Sequence, residues 1–179
     1  MTVEPVNVAV IYHSVTGTLQ TLAEAVAEGA EKAGAVVRLR AVAEASLDDL
    51  DWADVVLFGA PTRFGNPASE LRAFIETTGR LWRDGKLADK VYSAFTASST
   101  RHGGQESTLL ALGNTFYHWG GIIVPPGYTD PVQFQSGNPY GTSHVTGDGA
   151  PGDVVLEAAR HQARRTVDIA ALLKAGRAA

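Results

Sequence analysis

The run Val8-Ala-Val-Ile11 contains no polar residue and leads into Ser14-Val-Thr-Gly-Thr18 and then a helical pattern from Leu19 to Lys32. A strand that is apolar at every position must be covered on both faces, and helices are what cover it. The same alternation recurs along the chain. Strands are predicted over Asn7–His13, Val36–Val42, Ala53–Gly59, Lys90–Thr96 and Gly121–Val124. Helices are predicted over Leu19–Lys32, Pro67–Thr78, Gly104–Trp119 and Asp153–Leu173. Gly34 and Gly79 follow the first two helices, as C-terminal caps do, and Pro67 opens the second. Val36–Val42 alternates apolar residues with arginine, as an edge strand does, and Ser46–Asp51 reads as a short turn of helix or a loop. Strands alternating with helices imply an α/β fold with a doubly wound, five-stranded parallel sheet and helices on both faces, in the order 2-1-3-4-5. Neither an internal repeat nor a domain boundary is visible, so residues 1–179 read as a single domain.

In such a sheet the ligand sits beyond the C-terminal ends of the strands, at the switch point between strands one and three. Three loops fall there. The first, Ser14, Val15, Thr16, Gly17, Thr18 and Leu19, offers backbone N–H groups, hydroxyls and the positive end of a helix, but no Lys or Arg. It reads either as a phosphate cradle held by dipoles or as an ordinary turn capped by Ser and Thr. It is neither a Gly-x-Gly-x-x-Gly turn nor a Gly-x-x-x-x-Gly-Lys loop, which argues against a dinucleotide fingerprint and an NTPase. The second loop is Pro61, Thr62, Arg63, Phe64, Gly65 and Asn66, and the third runs Ala97, Ser98, Ser99, Thr100, Arg101, His102, Gly103, Gly104. Each is rich in groups that recognise a phosphate or a polar ring. Three such loops on one rim make a purely structural reading of all of them improbable.

Composition narrows the chemistry. A net charge of −4 lacks the basic footprint of a nucleic-acid binder. There is no cysteine, so disulfides, thiolate metal sites and a cysteine nucleophile are excluded. The histidines and acids show no metal-ligand spacing, and Ser98 and Ser99 lack the glycine-flanked turn of a serine nucleophile. The N-terminal segment has no basic stretch followed by an apolar one, and no apolar run is long enough to span a bilayer, so a cytoplasmic location is expected. Residues 125–152 fit poorly. The stretch is dense in glycine and proline, carries Tyr128, Phe134 and Tyr140, and is too long for a plain loop. It is expected to be mobile or to pack on a ligand or another subunit.

The chain resembles the flavodoxin-like NAD(P)H:quinone oxidoreductases of the WrbA type. Pro61-Thr-Arg-Phe-Gly-Asn66 matches that family's flavin loop residue for residue, and Thr78-Gly-Arg-Leu-Trp82, Phe95-Thr-Ala-Ser98, His102-Gly-Gly-Gln-Glu106, Pro139-Tyr-Gly141 and Gly147-Asp-Gly149 match in order. The resemblance runs from about Val6 to Leu172 and implies the flavodoxin-like sheet, an FMN cofactor, NADH or NADPH as electron donor and a quinone as acceptor. It assigns the FMN phosphate to Ser14 through Leu19 and the isoalloxazine edge to Pro61 through Asn66, chiefly Thr62, Arg63 and Phe64. It assigns the ribityl chain and ring to Ala97 through His102, places His118 beside the flavin and puts Trp82 on the substrate face, where nicotinamide and quinone stack in turn. It also implies a homo-oligomer, a tetramer of two dimers with sites built from more than one chain. The sequence departs from the family in three places. The connection Ala43–Asp51 is shorter than in many members. His118-Trp119 stands where two histidines are frequent, and Thr16 stands where some members have tyrosine.

The residues fit two-electron flavin chemistry with ping-pong turnover, because the candidate flavin loops carry Arg63, Arg101 and His102 and no carboxylate. The alternatives are a flavodoxin-like one-electron carrier and a non-catalytic FMN-binding or scaffold protein. Taken singly, Trp82 also reads as a helix cap, His118 as a partner of the helix dipole, Arg101 as a solvated charge, and His13, His144 and His161 as structural or exposed residues.

Overall fold

The structure is a computed structural model that describes residues 4–178. Five strands form the parallel path of the sheet: β1 (Asn7–Tyr12), β2 (Val36–Ala41), β3 (Val55–Arg63), β5 (Val91–Ser98) and β6 (Ile122–Ile123). Their order is β2-β1-β3-β5-β6, the expected 2-1-3-4-5 arrangement. A two-residue strand, β4 (Asn66–Pro67), folds back on β3, and β7 (Ser143–Val145) pairs with the upper half of β5, which makes the sheet seven-stranded in all.

The helices are α1 (Thr18–Lys32), α2 (Leu47–Trp52), α3 (Ser69–Glu76), α4 (Gly79–Arg83), α5 (Gln105–His118), α6 (Pro131–Ser136) and α7 (Asp153–Ala178). Alternate residues of β1 feed opposite cores, as the two-residue period of a strand requires. Val8 and Val10 pack with Leu22, Val26, Ala163 and Val167 under α1 and α7. Ala9 and Ile11 pack with Leu71, Leu112 and Phe116 under α3 and α5. The second core holds an aromatic cluster, in which Phe58, Tyr92 and Trp119 surround Phe116 with ring centroids 4.9–6.4 Å apart.

Several boundaries differ from the sequence reading. The helix expected over Pro67–Thr78 begins only at Ser69. Pro67 belongs to the β3–β4 hairpin, where Thr62 pairs with Pro67 and Arg63 with Asn66. The segment expected over Ser46–Asp51 forms α2 from Leu47, with Ser46 as its extended N-cap and Ser46 and Asp49 in a capping box. The last helix continues past Leu173 to Ala178.

The largest difference lies at the fifth sheet position. Pro125 and Pro126 have no backbone N–H to donate, so the ladder cannot continue past Val124. The chain leaves the sheet, forms α6, and returns as β7 in register Thr96↔Ser143, Ala97↔His144 and Ser98↔Val145. Residues 125–152 are therefore an ordered detour through one sheet position rather than a plain loop. The gap between β6 and β7 is closed by Gln162 of α7. Its amide donates to Ser93 Oγ (2.6 Å) and the Ala94 carbonyl (2.8 Å), and its Oε1 accepts from the Thr142 N–H (2.8 Å).

Candidate functional site

The three loops converge. Beyond the ends of β1, β3 and β5 lies an open cleft of about 140 Å³, lined by Ser14, Val15, Thr16, Thr18 and Leu19, by Pro61, Thr62 and Arg63, by Ala97, Ser98 and Ser99, and by Thr146. The β1–α1 turn is closed by Gly17, at φ +93°, whose N–H donates to Ser14 Oγ (3.1 Å). No side chain caps α1. Ser14 therefore closes the turn rather than the helix, and the first N–H groups of α1 point at the cleft without a protein partner, the arrangement that receives an anion. Thr16 and Thr18 also line the cleft, so the donors present fit a phosphate.

The second loop is a two-residue hairpin turn. Phe64 (φ +51°) and Gly65 (φ +78°) both adopt positive φ, as a type I′ turn demands. A phenylalanine there is strained, and its side chain is fully exposed at the hairpin tip. Asn66 Nδ2 donates to the Phe64 carbonyl (3.2 Å) and fixes the turn.

The hairpin is tied to the third loop. Ser107 Oγ donates to the Gly65 carbonyl (2.9 Å), and Thr108 Oγ1 donates to Thr62 Oγ1 (2.7 Å). Thr62 Oγ1 faces the carbonyls of Gly103 and Gly104 at 3.4 Å. Gly104 sits at φ +95°, and a Cβ on it would lie 2.7 Å from Gly65 Cα, so only glycine lets the loops meet.

In the third loop Ala97 and Ser98 are the buried end of β5, and Ser98 Oγ donates to the Thr100 carbonyl (2.6 Å). Ser99, Thr100, Arg101 and His102 form the exposed rim. The rim is not wholly cationic. Glu70 of α3 lies 3.6 Å from His13. Its carboxyl is held below the usual range by its own backbone N–H and the Ser69 hydroxyl, with His13 and Arg63 adding to the effect.

Trp82 and His118 are placed elsewhere within the chain. The Trp82 Nε1–H donates to the His118 carbonyl (2.9 Å), and both line a shallow pocket with Ile75, Glu76 and Trp119. His118 ends α5, whose N-terminus stands at the cleft, so it lies roughly 20 Å away at 1.5 Å per residue. Trp119 is buried in the aromatic cluster. The remaining histidines have structural partners: the His144 ring bonds the Gly149 carbonyl (2.7 Å) and the His161 ring meets Thr129 Oγ1 (2.8 Å).

Thr146 is the cleft-lining residue that the sequence reading missed, and Glu70 is a carboxylate beside His13 and Arg63 that it also missed. Thr146 reaches the cleft only because β7 rejoins the sheet, and Glu70 lies in the first turn of α3 rather than in a loop. Farther down α5, an apolar groove of about 710 Å³ is lined by Leu109, Leu110, Tyr117, Ile123 and Tyr140, with Tyr117 73% exposed. Tyr128 and Phe134, also exposed, pack with tilted rings, centroids 5.1 Å apart, on the detour. Among the described residues no helix is long and apolar enough to cross a membrane.

Comparison with known proteins gives a consistent result. Residues 9–114 match the family described as Flavodoxin domain. The chain is 43% identical to a protein of Deinococcus radiodurans named NAD(P)H dehydrogenase (quinone), over 94% of this chain and 98% of that one. It is equally close to one of the same name from Sinorhizobium fredii, over 93% and 98%. The first alignment spans 199 positions, more than the 179 residues of this chain, so that relative carries residues absent here. Among solved structures, a WrbA-like flavodoxin from Agrobacterium tumefaciens superposes with a TM-score of 0.76 at 31% identity, over 92% of this chain and 97% of that one. An archaeal flavodoxin shares the fold, with a TM-score of 0.71 at 17% identity.

Proposed function

This chain belongs to the flavodoxin-domain family, among the WrbA-like NAD(P)H dehydrogenases (quinone), and from that premise we propose that it is an FMN-dependent NAD(P)H:quinone oxidoreductase acting as one unit over residues 1–179. The observation that carries the proposal is the uncapped start of α1 meeting two further polar loops in one cleft at the switch point of the sheet. Bound FMN would supply two-electron redox chemistry between NADH or NADPH and a quinone.

The chain's own residues would hold and tune it. Ser14 through Leu19 receive the phosphate through the α1 N–H groups and the hydroxyls of Thr16 and Thr18. Pro61 through Asn66 wrap the ring edge, with Thr62, Arg63 and Phe64 as the main contacts. Ala97 through His102 border the ribityl chain and ring. Arg63 and the backbone N–H groups favour negative charge on the ring's carbonyl edge, which suits two-electron chemistry.

A cleft of about 140 Å³ is well below the size of a complete cofactor pocket, roughly 300–1,000 Å³. The cleft would hold the phosphate end of the cofactor, and the rim residues Arg63, Phe64, Arg101 and His102 would border the rest. Trp82 and His118 stand too far from their own cleft to flank that ring, so they act from a neighbouring chain if they act at the flavin. The exposed aromatic residues of α5 and the 125–152 detour supply a surface for such an assembly, a dimer or tetramer. Nicotinamide and quinone would then share one site in turn, which gives ping-pong turnover.

Titration of the purified protein with FMN tests the binding step: saturable quenching of flavin fluorescence is expected, and unquenched FMN contradicts it. Light scattering of the loaded protein tests assembly, and a monomer mass would refute the shared site.

A further inference from the structure

Thr146 alone among the described residues lining the cleft comes from outside the three loops. It follows β7, whose register with β5 brings it level with Ser99. The segment is fixed from several sides. Gln105, buried at the start of α5, donates one amide to both Ser98 Oγ (2.8 Å) and the His144 carbonyl (3.3 Å), locking β7 to the end of β5. The His144 ring holds the Gly149 carbonyl (2.7 Å) across the turn that contains Thr146. Gly147 packs so closely that a Cβ there would lie 2.7 Å from the Ser99 carbonyl oxygen.

The hydroxyl of Thr146 donates its one proton to the Ser98 carbonyl at 3.3 Å. A hydroxyl has one donor and two acceptor positions, so what remains for a ligand is acceptor capacity. An ionised phosphate has no proton to give, and the phosphate is already matched by the donor-rich β1–α1 turn. A polyol has several. Resting on the FMN reading of the cleft, we infer that Thr146 is a cofactor-binding residue that accepts a hydrogen bond from a ribityl hydroxyl. With Ser98 and Ser99 it forms a polyol subsite on the β5–β7 side of the cleft. The detour through residues 125–142 thus returns to deliver a fourth binding segment.

Three flavins separate this role from its neighbours: FMN, riboflavin, which lacks the phosphate, and lumiflavin, which lacks the ribityl chain. Their dissociation constants are measured by fluorescence quenching on the full chain and on Thr146→Val and Thr146→Ser. The valine variant should weaken FMN and riboflavin by the same factor, about 3- to 10-fold, the size of one neutral hydrogen bond. Lumiflavin should be unaffected, and serine should restore wild-type affinity. Unchanged FMN and riboflavin binding in Thr146→Val would overturn the inference. So would equal weakening of all three flavins, which would mark Thr146 as merely structural. If the wild-type chain quenches none of the three, the FMN reading falls first and this inference with it.

Discussion

Gly104→Ala should damage the cleft more than it damages the fold, and the structure says by how much. Gly104 adopts φ +95°, where any Cβ costs about 1–2 kcal/mol. Gly34 has nearly the same conformation, φ +86°, but an added Cβ there meets nothing within 4 Å. The two substitutions share the backbone term and differ in one thing. At Gly104 the new Cβ would stand 2.7 Å from Gly65 Cα, a backbone atom that no rotamer change can move aside. Ordinary contact begins at 3.4 Å, so the hairpin carrying Thr62, Arg63 and Phe64 must shift bodily. That shift strains the bonds from Ser107 Oγ to the Gly65 carbonyl and from Thr62 Oγ1 to Gly103 and Gly104. The Ser107 bond and the one Thr62 proton shared between two carbonyls are worth about 1 kcal/mol each, so Gly104→Ala should cost roughly 2–5 kcal/mol in urea unfolding against roughly 1–2 for Gly34→Ala. FMN affinity should fall at least about tenfold in the first and stay unchanged in the second, since tenfold is only about 1.4 kcal/mol. Equal stabilities, or unaltered FMN binding in Gly104→Ala, would refute the claim that the Gly65–Gly104 contact shapes the site.

Three further outcomes are expected. Gln162→Leu should cost about 2–6 kcal/mol in urea unfolding, because it leaves the buried Ala94 carbonyl and Thr142 N–H unpaired at about 1–3 kcal/mol each; a loss under 1 kcal/mol would mean water replaces the amide. Replacing Thr16 and Thr18 together by Ala should weaken FMN, at roughly 1.5–3 kcal/mol per lost bond to the phosphate, and leave riboflavin affinity unchanged; a loss shared by riboflavin would place the hydroxyls elsewhere. Burial lowers the His161 pKa below 6.5, with Asp130 opposing and Arg164 and Arg165 reinforcing the shift, so the unfolded chain takes up this proton first as pH falls. Stability should be complete above about pH 6.5 and decline below it until the folded ring also titrates, and in His161→Phe that part of the acid limb should disappear from urea midpoints measured between pH 5 and 7.5.

Much of this arrangement is written locally. Val8–Ile11 is apolar at every position because β1 is covered on both faces, and the Ser14–Thr18 turn is legible because only backbone N–H groups and hydroxyls are offered there. What escaped depends on distant partners. Ser143-His-Val145 has no strand pattern of its own and becomes β7 because the upper edge of β5 is free once Pro125 and Pro126 end the first ladder. Gln162 looks like an ordinary helix residue until the gap it closes is seen. The positive φ of Phe64 follows from the hairpin's two-residue turn, which the apparent helix start at Pro67 concealed. Thr146 escaped for the same reason as β7. The distance between His118 and the cleft was within reach of the sequence, because the length of α5 alone sets the two apart.

The central claim is that this cleft binds FMN and passes two electrons from a nicotinamide to a quinone. Anaerobic titration of the FMN-loaded protein tests it most directly. One equivalent of NADH or NADPH should bleach the flavin's visible absorbance in a single two-electron phase, and one equivalent of a benzoquinone should restore it completely. A flavin that neither nucleotide bleaches, or that is reduced in two separate one-electron phases, would contradict the account.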